Sequence, residues 1–397
     1  MVQIWEATGG EHNGGIIARA GLSLKSPQLT ERVSTGSVLQ EIELIGERLN
    51  FKLLEGSGPE SGWVSISVRD KELVVKSNKE LKATEPCALV FPGQGSQYVG
   101  MLKEVKDIAA VQDMLEKAND ILGWDVLDLC LNGPEEKLAE TKYCQPCMFI
   151  GGLAGIEKLR IDKPECAENP TFVAGLSLGE YTALCAAGVF SFEDGLKLVK
   201  LRGEAMQEAA TSGSSAQKML SVTGLDNAKL AELCEEAKQE EGPGAVASVA
   251  NALFPNGFSL GGSEKAINIL KEKCENAGAL QAKLLKTGGA FHTEFMQPAQ
   301  VKLNEALDEV YPKMRPPRTT IYMNATSEPI KAGASAGVIV ENLKKQLTNT
   351  VLWEPSVQKM IAAGINEYYE CGPMKQLKAM MKRIDQEVWK TTTNVDV

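Results

Sequence analysis

Apolar residues in the first part of the chain recur at alternate positions, in short runs separated by turns. The runs are residues 14–19, 38–45, 49–54, 63–68 and 72–76. A period of two is typical of strands with one buried face, and several such strands at short spacing are typical of small β domains. We therefore predict a small all-β N-terminal module over residues 1–80, a barrel or a roll, with no catalytic residue of its own.

The pattern changes after a polar stretch, residues 77–86, which we interpret as a linker. A continuous apolar strand at 87–91 is followed by helical periodicity and then by a second strand at 172–174. Helices are predicted at residues 105–122, 134–139, 145–159, 178–187 and 192–210. Strands that alternate with helices predict α/β layers with a mostly parallel sheet.

Residues 218–285 follow a different order: strand, helix, strand, strand, helix, strand. That order is the ferredoxin-like pattern, so we predict a small α+β subdomain inserted into the larger one. The alternation then resumes with helices at 293–310, 338–346, 354–363 and 375–384 and strands at 320–324 and 366–370. The polar tail from Thr391 is predicted to be loose.

The composition excludes several functions. The net charge of 42 − 52 = −10 argues against nucleic-acid binding, and no apolar run approaches the ~20 residues of a membrane span. No signal peptide is visible, so we expect a cytoplasmic protein, or an organellar one if a transit peptide has been removed. Nine scattered cysteines suggest free thiols, and Cys144-Gln-Pro-Cys147 has no second motif to complete a metal site. We expect no bound metal.

The segment Gly175-Leu-Ser-Leu-Gly179 fits G-x-S-x-G between a predicted strand and a predicted helix. In a nucleophile elbow the serine adopts unusual backbone angles, and the glycines allow strand and helix to pack closely. The hydroxyl of Ser177 would stand at a helix N-terminus, where the N–H of Leu178 can hold a developing oxyanion. The alternative is a tight turn in which the serine only caps the helix.

A serine nucleophile needs a base that works near neutral pH, and the chain has only two histidines. His12 belongs to the predicted β module and lies in a glycine-rich segment typical of a turn. His292 precedes a predicted helix in the larger domain. By elimination His292 is the candidate base; the alternative is a histidine buried in a turn or in the core.

Helix geometry brings a cation toward the serine. The helix from Leu178 rises about 15 Å over ten residues, and the next helix returns about 16 Å between Phe192 and Arg202 if the two are antiparallel. Arg202 would then lie near the level of Ser177, where it could pair with a carboxylate on a transferred acyl group. The alternative is an arginine on the outer face of an amphipathic helix.

Taken in order, the motifs of residues 86–389 resemble the malonyl-CoA:acyl-carrier-protein transacylases and the acyltransferase domains of polyketide synthases. The loop Phe91-Pro-Gly-Gln-Gly-Ser-Gln97 resembles the family's opening loop, although it matches no phosphate-binding motif. The elbow, the 25-residue interval to Arg202, and Phe291-His-Thr-Glu-Phe-Met296 also match. Residues 346–353 and Glu370-Cys-Gly-Pro373 resemble its closing segments.

The resemblance implies a role for each matching residue. Ser177 would carry the malonyl group, and His292, oriented by the backbone carbonyl of Gln346, would act as general base and then acid. Gln94 and Leu178 would form the oxyanion hole. Arg202, Phe291 and Gln346 would form the acyl-binding site, with Arg202 on the malonyl carboxylate and Phe291 leaving little room for a methyl branch.

The resemblance also implies the fold class. We expect α/β: a large α/β-hydrolase-like (patatin-like) subdomain, residues 86–215 and 286–390, with an inserted ferredoxin-like α+β subdomain, residues 216–285, after the all-β module. The implied partners are a coenzyme A thioester and the phosphopantetheine thiol of an acyl carrier protein, with no other cofactor, no nucleic acid and no membrane. The protein would be a monomer or part of a larger synthase assembly, in fatty-acid or polyketide synthesis.

Several positions depart from the family pattern. Leu176 replaces a histidine beside the serine, Thr350 replaces a proline, and Met374 replaces a glycine. Leu253 and Gly257 stand where polar residues often line the pantetheine channel. Leu176 leaves open a non-catalytic scaffold relative. A thioesterase-like serine hydrolase also stays open, because G-x-S-x-G and a histidine serve it equally well; it would need a triad acid and not Arg202.

Overall fold

The computed structural model describes residues 3–69, 71–77, 86–212 and 215–397. The chain divides into two compact units, Met1–Ala83 and Thr84–Val397, which are described separately below. The predicted linker, residues 77–86, lies outside the described residues except at its two ends. No helix of the described ranges is both long and apolar enough to cross a membrane.

The first unit contains one antiparallel sheet of seven strands. In chain order they are Ile4–Ala7, Ile16–Arg19, Gln28–Val33, Val38–Ile45, Arg48–Glu55, Ser61–Ser65 and Val74–Ser77. Their order across the sheet is third, second, sixth, fifth, fourth, first, seventh. A one-turn 3-10 helix (Glu11–Asn13) and a two-stranded ribbon (Ser67–Val68 with Lys71–Glu72) complete the unit. The alternation buries one face, which includes Leu49, Phe51 and Val64.

A six-stranded sheet forms the centre of the second unit. Across the sheet the strands are Pro329–Ile330, Thr320–Tyr322, Phe172–Gly175, Cys87–Phe91, Glu367–Cys371 and Thr392–Val395. All neighbours are parallel except the first pair. The prediction of a loose tail is wrong, because residues 392–395 pair in parallel with residues 368–371. The hydroxyl of Tyr98 also donates to the carbonyl of Val397 at 2.9 Å.

Helices pack on both faces of this sheet. They are Ala109–Leu122, Val126–Asn132, Glu135–Ala139, Thr141–Asp162, Pro164–Glu168, Leu178–Ala186, Phe192–Thr211, Gln297–Val310, Ala336–Gln346, Trp353–Ala362, Gln376–Ile384 and Gln386–Thr391, with 3-10 turns at Glu294–Met296 and Tyr311–Lys313. Two apolar clusters, one on each face, contain Leu89 and Phe149 in the first and Val90 and Trp353 in the second. The second unit is therefore a layered α/β structure, as the alternating pattern predicted.

A second sheet carries its own two helices, Asn227–Glu241 and Glu264–Asn276. Its strands, in order across the sheet, are Gln281–Leu285, Gln217–Thr223, Gly257–Ser263, Ala247–Phe254 and Val351–Leu352. The first four are antiparallel, and Val351–Leu352 adds in parallel at the edge. Because residues 351–352 follow the helix Ala336–Gln346 of the larger sheet, the two sheets are joined next to Gln346.

Candidate active site

The elbow is a sharp turn in which Ser177 has backbone angles of φ 54° and ψ −101°. A Cβ on Gly175 would lie 1.9 Å from the carbonyl carbon of Gly179, so only glycine allows this approach of strand and helix. Asn324, just beyond the neighbouring strand, braces the turn. Its side-chain oxygen accepts from the Ser177 N–H at 2.7 Å, and its amide donates to the Gly175 carbonyl at 2.7 Å. Such bracing can hold a strained residue in place.

His292 lies against the serine hydroxyl. Ser177 Oγ and His292 Nε2 are 2.7 Å apart, and His292 Nδ1 is 2.9 Å from the carbonyl oxygen of Gln346. A carbonyl oxygen can only accept, so Nδ1 carries the proton and the lone pair of Nε2 faces the hydroxyl. The arrangement can take the proton of Ser177, with a main-chain carbonyl where a triad would place a carboxylate.

Burial and then the positive charge of Arg202 together lower the pKa of His292 to about 4, while the Gln346 carbonyl acts in the opposite direction. The imidazole is therefore neutral near pH 7, which is the form that can accept a proton.

Arg202 reaches the same point from the helix Phe192–Thr211. Its Nη2 donates to Ser177 Oγ at 3.1 Å and to the side-chain oxygen of Gln346 at 3.0 Å, while Nη1 donates to the side-chain oxygen of Gln145 at 2.7 Å. The guanidinium lies 5.3 Å from the ring centre of Tyr181. Arg202 is fully buried, and within the described part of the chain no carboxylate lies within ion-pair distance of it. A buried cation held by neutral groups is suited to an anionic group of a substrate.

Glu180, in the first turn of the elbow helix, connects the site residues. One carboxylate oxygen accepts from the Asn324 backbone N–H at 2.5 Å, and the other accepts from the Gln346 side-chain amide at 2.6 Å. The same Gln346 amide donates to the Ser177 carbonyl at 2.8 Å. Burial raises the pKa of Glu180 to about 7, against the hydrogen bonds and the charge of Arg202 that favour the carboxylate.

The serine opens into a cavity of about 230 Å³. Its lining includes Gln94, Leu176, Ser177, Met206, Met219, Leu253, Phe291 and His292. The Gln94 amide donates to the Thr141 hydroxyl at 3.3 Å, and Leu178 is the first residue of the elbow helix, where N–H groups have no intrahelical acceptor. Phe291 is buried directly before the histidine. Each predicted site residue thus lies in or beside one cavity.

The departures from the family pattern fall at different places. Leu176 lines the cavity beside the serine and carries no group that could bind a proton. The hydroxyl of Thr350 donates to the Val249 carbonyl at 2.7 Å, which ties the residue before the strand Val351–Leu352 to the smaller sheet. Met374 has a left-handed backbone with φ 63°. Leu253 lines the cavity, whereas Gly257 instead packs against the ring of Phe254.

Sequence reasoning missed three side chains that hold the site: Gln145, Glu180 and Asn324. The sequence showed Glu180 only as the acidic residue after the elbow glycine. That position was the one available signal, and it did not reveal that the carboxylate is buried. Gln145 and Asn324 lie in unrelated segments, and nothing in their local sequence indicates that their amides reach the serine or the arginine.

Most of the second unit is similar to proteins of a known family. A family model described as an acyl transferase domain matches residues 88–383. A mitochondrial malonyl-CoA-acyl carrier protein transacylase of Homo sapiens is 36% identical over 319 residues, 78% of this chain and 80% of that protein.

Two solved structures are also similar. An acyl-carrier-protein-S-malonyltransferase from Bartonella henselae superimposes with a TM-score of 0.72 at 32% identity, covering 79% of this chain and 96% of that one. A malonyl-transacylase solved in complex with a type II PKS acyl-carrier protein superimposes with a TM-score of 0.70 at 32% identity, covering 78% of this chain and 95% of that one.

Proposed function

This chain belongs to the acyl transferase domain family, and from that premise we propose that it transfers malonyl from malonyl-CoA to the phosphopantetheine thiol of an acyl carrier protein. The reaction is an acyl transfer through a seryl ester, in fatty-acid or polyketide synthesis. The observation that carries the proposal is the contact of one hydroxyl, Ser177, with both a neutral imidazole and a buried guanidinium.

In the first half-reaction Ser177 Oγ attacks the thioester carbonyl carbon while His292 Nε2 takes the hydroxyl proton. The tetrahedral intermediate then collapses, the C–S bond breaks, and His292 returns the proton to the departing coenzyme A thiolate. The second half-reaction runs in reverse with the carrier thiol, whose proton passes to His292 as its sulfur attacks the seryl ester. No other cofactor takes part in these steps.

The oxyanion of each tetrahedral intermediate lies at the start of the elbow helix. The N–H of Leu178 donates to it, helped by the partial positive charge of the helix N-terminus. Gln94, which lines the same cavity, supplies the second donor. These donors act on charge that develops only in the transition state, so they lower the barrier rather than tighten substrate binding.

Arg202 selects the acyl group by binding the carboxylate of malonyl. In the free protein its Nη2 is bound to the Ser177 hydroxyl and to Gln346, so a malonyl carboxylate entering there gains a charge-assisted partner without loss of an existing ion pair. Gln346 holds both this guanidinium and, through its backbone, His292. Phe291 fills the space beside the acyl carbon and favours an unbranched malonyl group over a methyl-branched one.

A serine hydrolase is less well supported. That function predicted a triad acid on His292, yet the imidazole is bound by a backbone carbonyl, and the nearby carboxylate of Glu180 is bound to other groups. A non-catalytic scaffold is also disfavoured, because Leu176 changes the cavity wall but leaves the serine and histidine in contact.

The division into subdomains is likewise a proposal. We assign residues 1–80 to an all-β module, 86–215 and 286–390 to an α/β-hydrolase-like (patatin-like) subdomain, and 216–285 to a ferredoxin-like subdomain. The strand order in the smaller sheet, fourth-first-third-second within residues 217–285, supports the last assignment. The protein acts in the cytoplasm or an organelle, as a monomer or within a larger synthase assembly.

The test is a transfer assay with malonyl-CoA, with and without phosphopantetheinylated carrier protein. We expect malonyl-carrier to form as coenzyme A is released, with free malonate a minor product. Rapid release of malonate without transfer to the carrier would instead support the hydrolase. Ser177→Ala should abolish both products, which shows that either activity belongs to this site.

A further inference from the structure

Three arginines lie on one face of the N-terminal sheet, on the side away from its apolar core. Arg32 pairs with Ile17 across the first two neighbouring strands, Arg19 pairs with Trp63, and Arg48 pairs with Ser65. Directly paired residues in an antiparallel sheet share a face, and so do residues two apart on one strand. The three guanidinium side chains therefore start from the same surface, on three of four successive strands.

Neutral groups hold these arginines. Arg48 donates to the carbonyls of Leu22 and Trp63 at 3.0 and 3.2 Å and to the Ser65 hydroxyl at 2.9 Å. Arg19 donates to the Ser26 carbonyl at 2.8 Å, and a longer contact of 3.4 Å joins Arg32 to the Gly15 carbonyl. Among the described residues, none of the three has a carboxylate within ion-pair distance. Hydrogen bonds thus fix the positions of the three arginines, and no carboxylate of the described residues neutralises their charge.

The same side chains line a cleft of about 480 Å³ that lies wholly within this unit. Of the eight Lys and Arg residues among described residues 3–77, the cleft contains four, the fourth being Lys71; of the nine acidic residues it contains only Glu11. The pKa of Arg48 is lowered mainly by burial and also by the charge of Arg19. The second effect shows that these two guanidinium groups lie close together. The described residues of this unit have no excess of positive charge, yet half of their Lys and Arg side chains lie in this one cleft.

The cleft also has an apolar part. Ile17, Leu24 and Val68 line it with side chains that are 38%, 65% and 50% exposed. Exposed apolar side chains next to unpaired guanidinium groups match a ligand that carries anionic groups on a carbon framework. The planar fork of arginine suits the paired oxygens of phosphate and carboxylate groups.

We propose that this cleft is a binding site for a small organic polyanion, with its phosphate or carboxylate groups on Arg19, Arg32 and Lys71 and its carbon framework against Leu24 and Val68. Arg48 shapes the floor, because most of its N–H groups are already bound to the protein. The cleft has no lining residue in common with the Ser177 cavity, and binding there does not require the transfer reaction.

Calorimetric titration of the full chain tests the proposal, with pyrophosphate, citrate and a short alkyl diphosphate as probes at fixed ionic strength. We expect one site per chain, with the alkyl diphosphate bound more tightly than pyrophosphate because its chain meets the apolar part. Comparison of pyrophosphate with citrate shows which anionic group is preferred. Absence of binding by all three probes at low salt would overturn the proposal.

Charge-matched variants distinguish specific binding in the cleft from non-specific electrostatic attraction of an anion to the unit. Arg19→Gln with Arg32→Gln should weaken binding at least about tenfold, whereas Lys52→Gln with Lys76→Gln, which removes the same charge from the same unit outside the cleft, should change it less than about twofold. Equal weakening by both pairs, or none by the first, would contradict the proposal. Circular dichroism and thermal unfolding of each variant, expected to match the unmodified chain, show that the N-terminal unit is still folded.

Discussion

The carboxylate of Glu180 links the parts of the active site that the proposed chemistry uses. It holds Asn324, which braces the Ser177 turn, and Gln346, which contacts both Arg202 and His292. The two bonds to the Glu180 carboxylate are short and buried, so loss of either leaves a buried polar group unsatisfied. We therefore treat Glu180 as a positioning residue, which acts through its neighbours without touching the substrate.

Glu180→Gln tests this role. Glutamine has an NH2 donor in place of one carboxylate oxygen. That NH2 group must face either the Asn324 N–H or the Gln346 amide, both of which also donate, so one of the two hydrogen bonds is lost. We expect kcat for malonyl transfer to fall about 10- to 100-fold, as displaced catalytic groups would give, with a smaller change in KM. The control is Glu354→Gln, at a carboxylate that accepts from the Gln358 amide at 2.9 Å, which should leave kcat unchanged. An equally active Glu180→Gln would remove the positioning role.

Arg202→Ala addresses acyl selection. Loss of a buried charge-assisted pair worth about 3 kcal/mol should lower the preference for malonyl over acetyl by about 10²-fold, with acetyl loading retained or raised. The measurement is kcat/KM for the two coenzyme A thioesters. Lys200→Ala on the same helix, where the amine donates to the Ile121 carbonyl, is the control. An unchanged malonyl-to-acetyl ratio would mean that the carboxylate binds elsewhere.

The protonation of His292 can be observed directly, because the chain has only two histidines. With its pKa lowered to about 4, the imidazole is neutral at any pH well above that value and charges only as the pH falls through it. Nitrogen NMR shifts of histidine-labelled protein should show a neutral ring with the proton on Nδ1 from pH 8 to pH 5. The His12→Gln variant assigns the two signals.

Arg202→Gln provides the comparison for that titration. Removal of the neighbouring positive charge should move the His292 midpoint upward, because that charge opposes protonation of the ring. A wild-type midpoint near the ordinary histidine value of about 6.5 would show that burial and the charge of Arg202 do not determine the pKa of His292.

Three site residues could be predicted from sequence because each left a separate signal. Ser177 lies in a glycine pattern, His292 is one of two histidines, and Arg202 follows from the rise of two helices. The structure brings all three together. Glu180, Gln145 and Asn324 could not be predicted in these roles, because amide and carboxylate contacts between distant segments depend on the tertiary fold.

At the scale of elements, the helices and strands that bury apolar residues in a regular period were predicted well. The strands Ile4–Ala7 and Gln28–Val33 and the tail strand Thr392–Val395 were among those missed. The tail consists mainly of threonine and asparagine, and it is held by a parallel ladder to Glu367–Cys371 rather than by an apolar pattern of its own. A strand stabilised by its neighbour's backbone carries little signal in its own sequence.

The turn after the strand Glu367–Cys371 contains Met374, whose left-handed backbone costs a residue with a Cβ about 1–2 kcal/mol. Glycine avoids that cost but loses more chain entropy on folding. We therefore expect Met374→Gly to raise the free energy of unfolding by about 0.5–1 kcal/mol, measured by urea denaturation.

Lys375→Gly is the control for that change. Lys375 has an ordinary negative φ of −138°, so its replacement should be neutral or destabilising. If both glycine variants shift stability alike, strain at Met374 is not the cause.

At the scale of the whole molecule, the proposed catalytic residues and the family match at residues 88–383 fall within the second unit. The first unit has a separate apolar core that includes Trp5, Leu39 and Phe51. A shortened chain of residues 84–397 should therefore fold and retain malonyl transfer within about threefold of the full chain. Insoluble or inactive protein would show that the second unit depends on the first.

The central claim is that Ser177 becomes the malonyl ester with Arg202 on its carboxylate. Intact mass spectrometry after incubation with malonyl-CoA, without carrier protein, tests it most directly. We predict a mass increase of one malonyl group that maps to Ser177, is absent in Ser177→Ala, and disappears when carrier protein is added. No adduct on the wild-type chain, or an adduct that survives in Ser177→Ala, would contradict it.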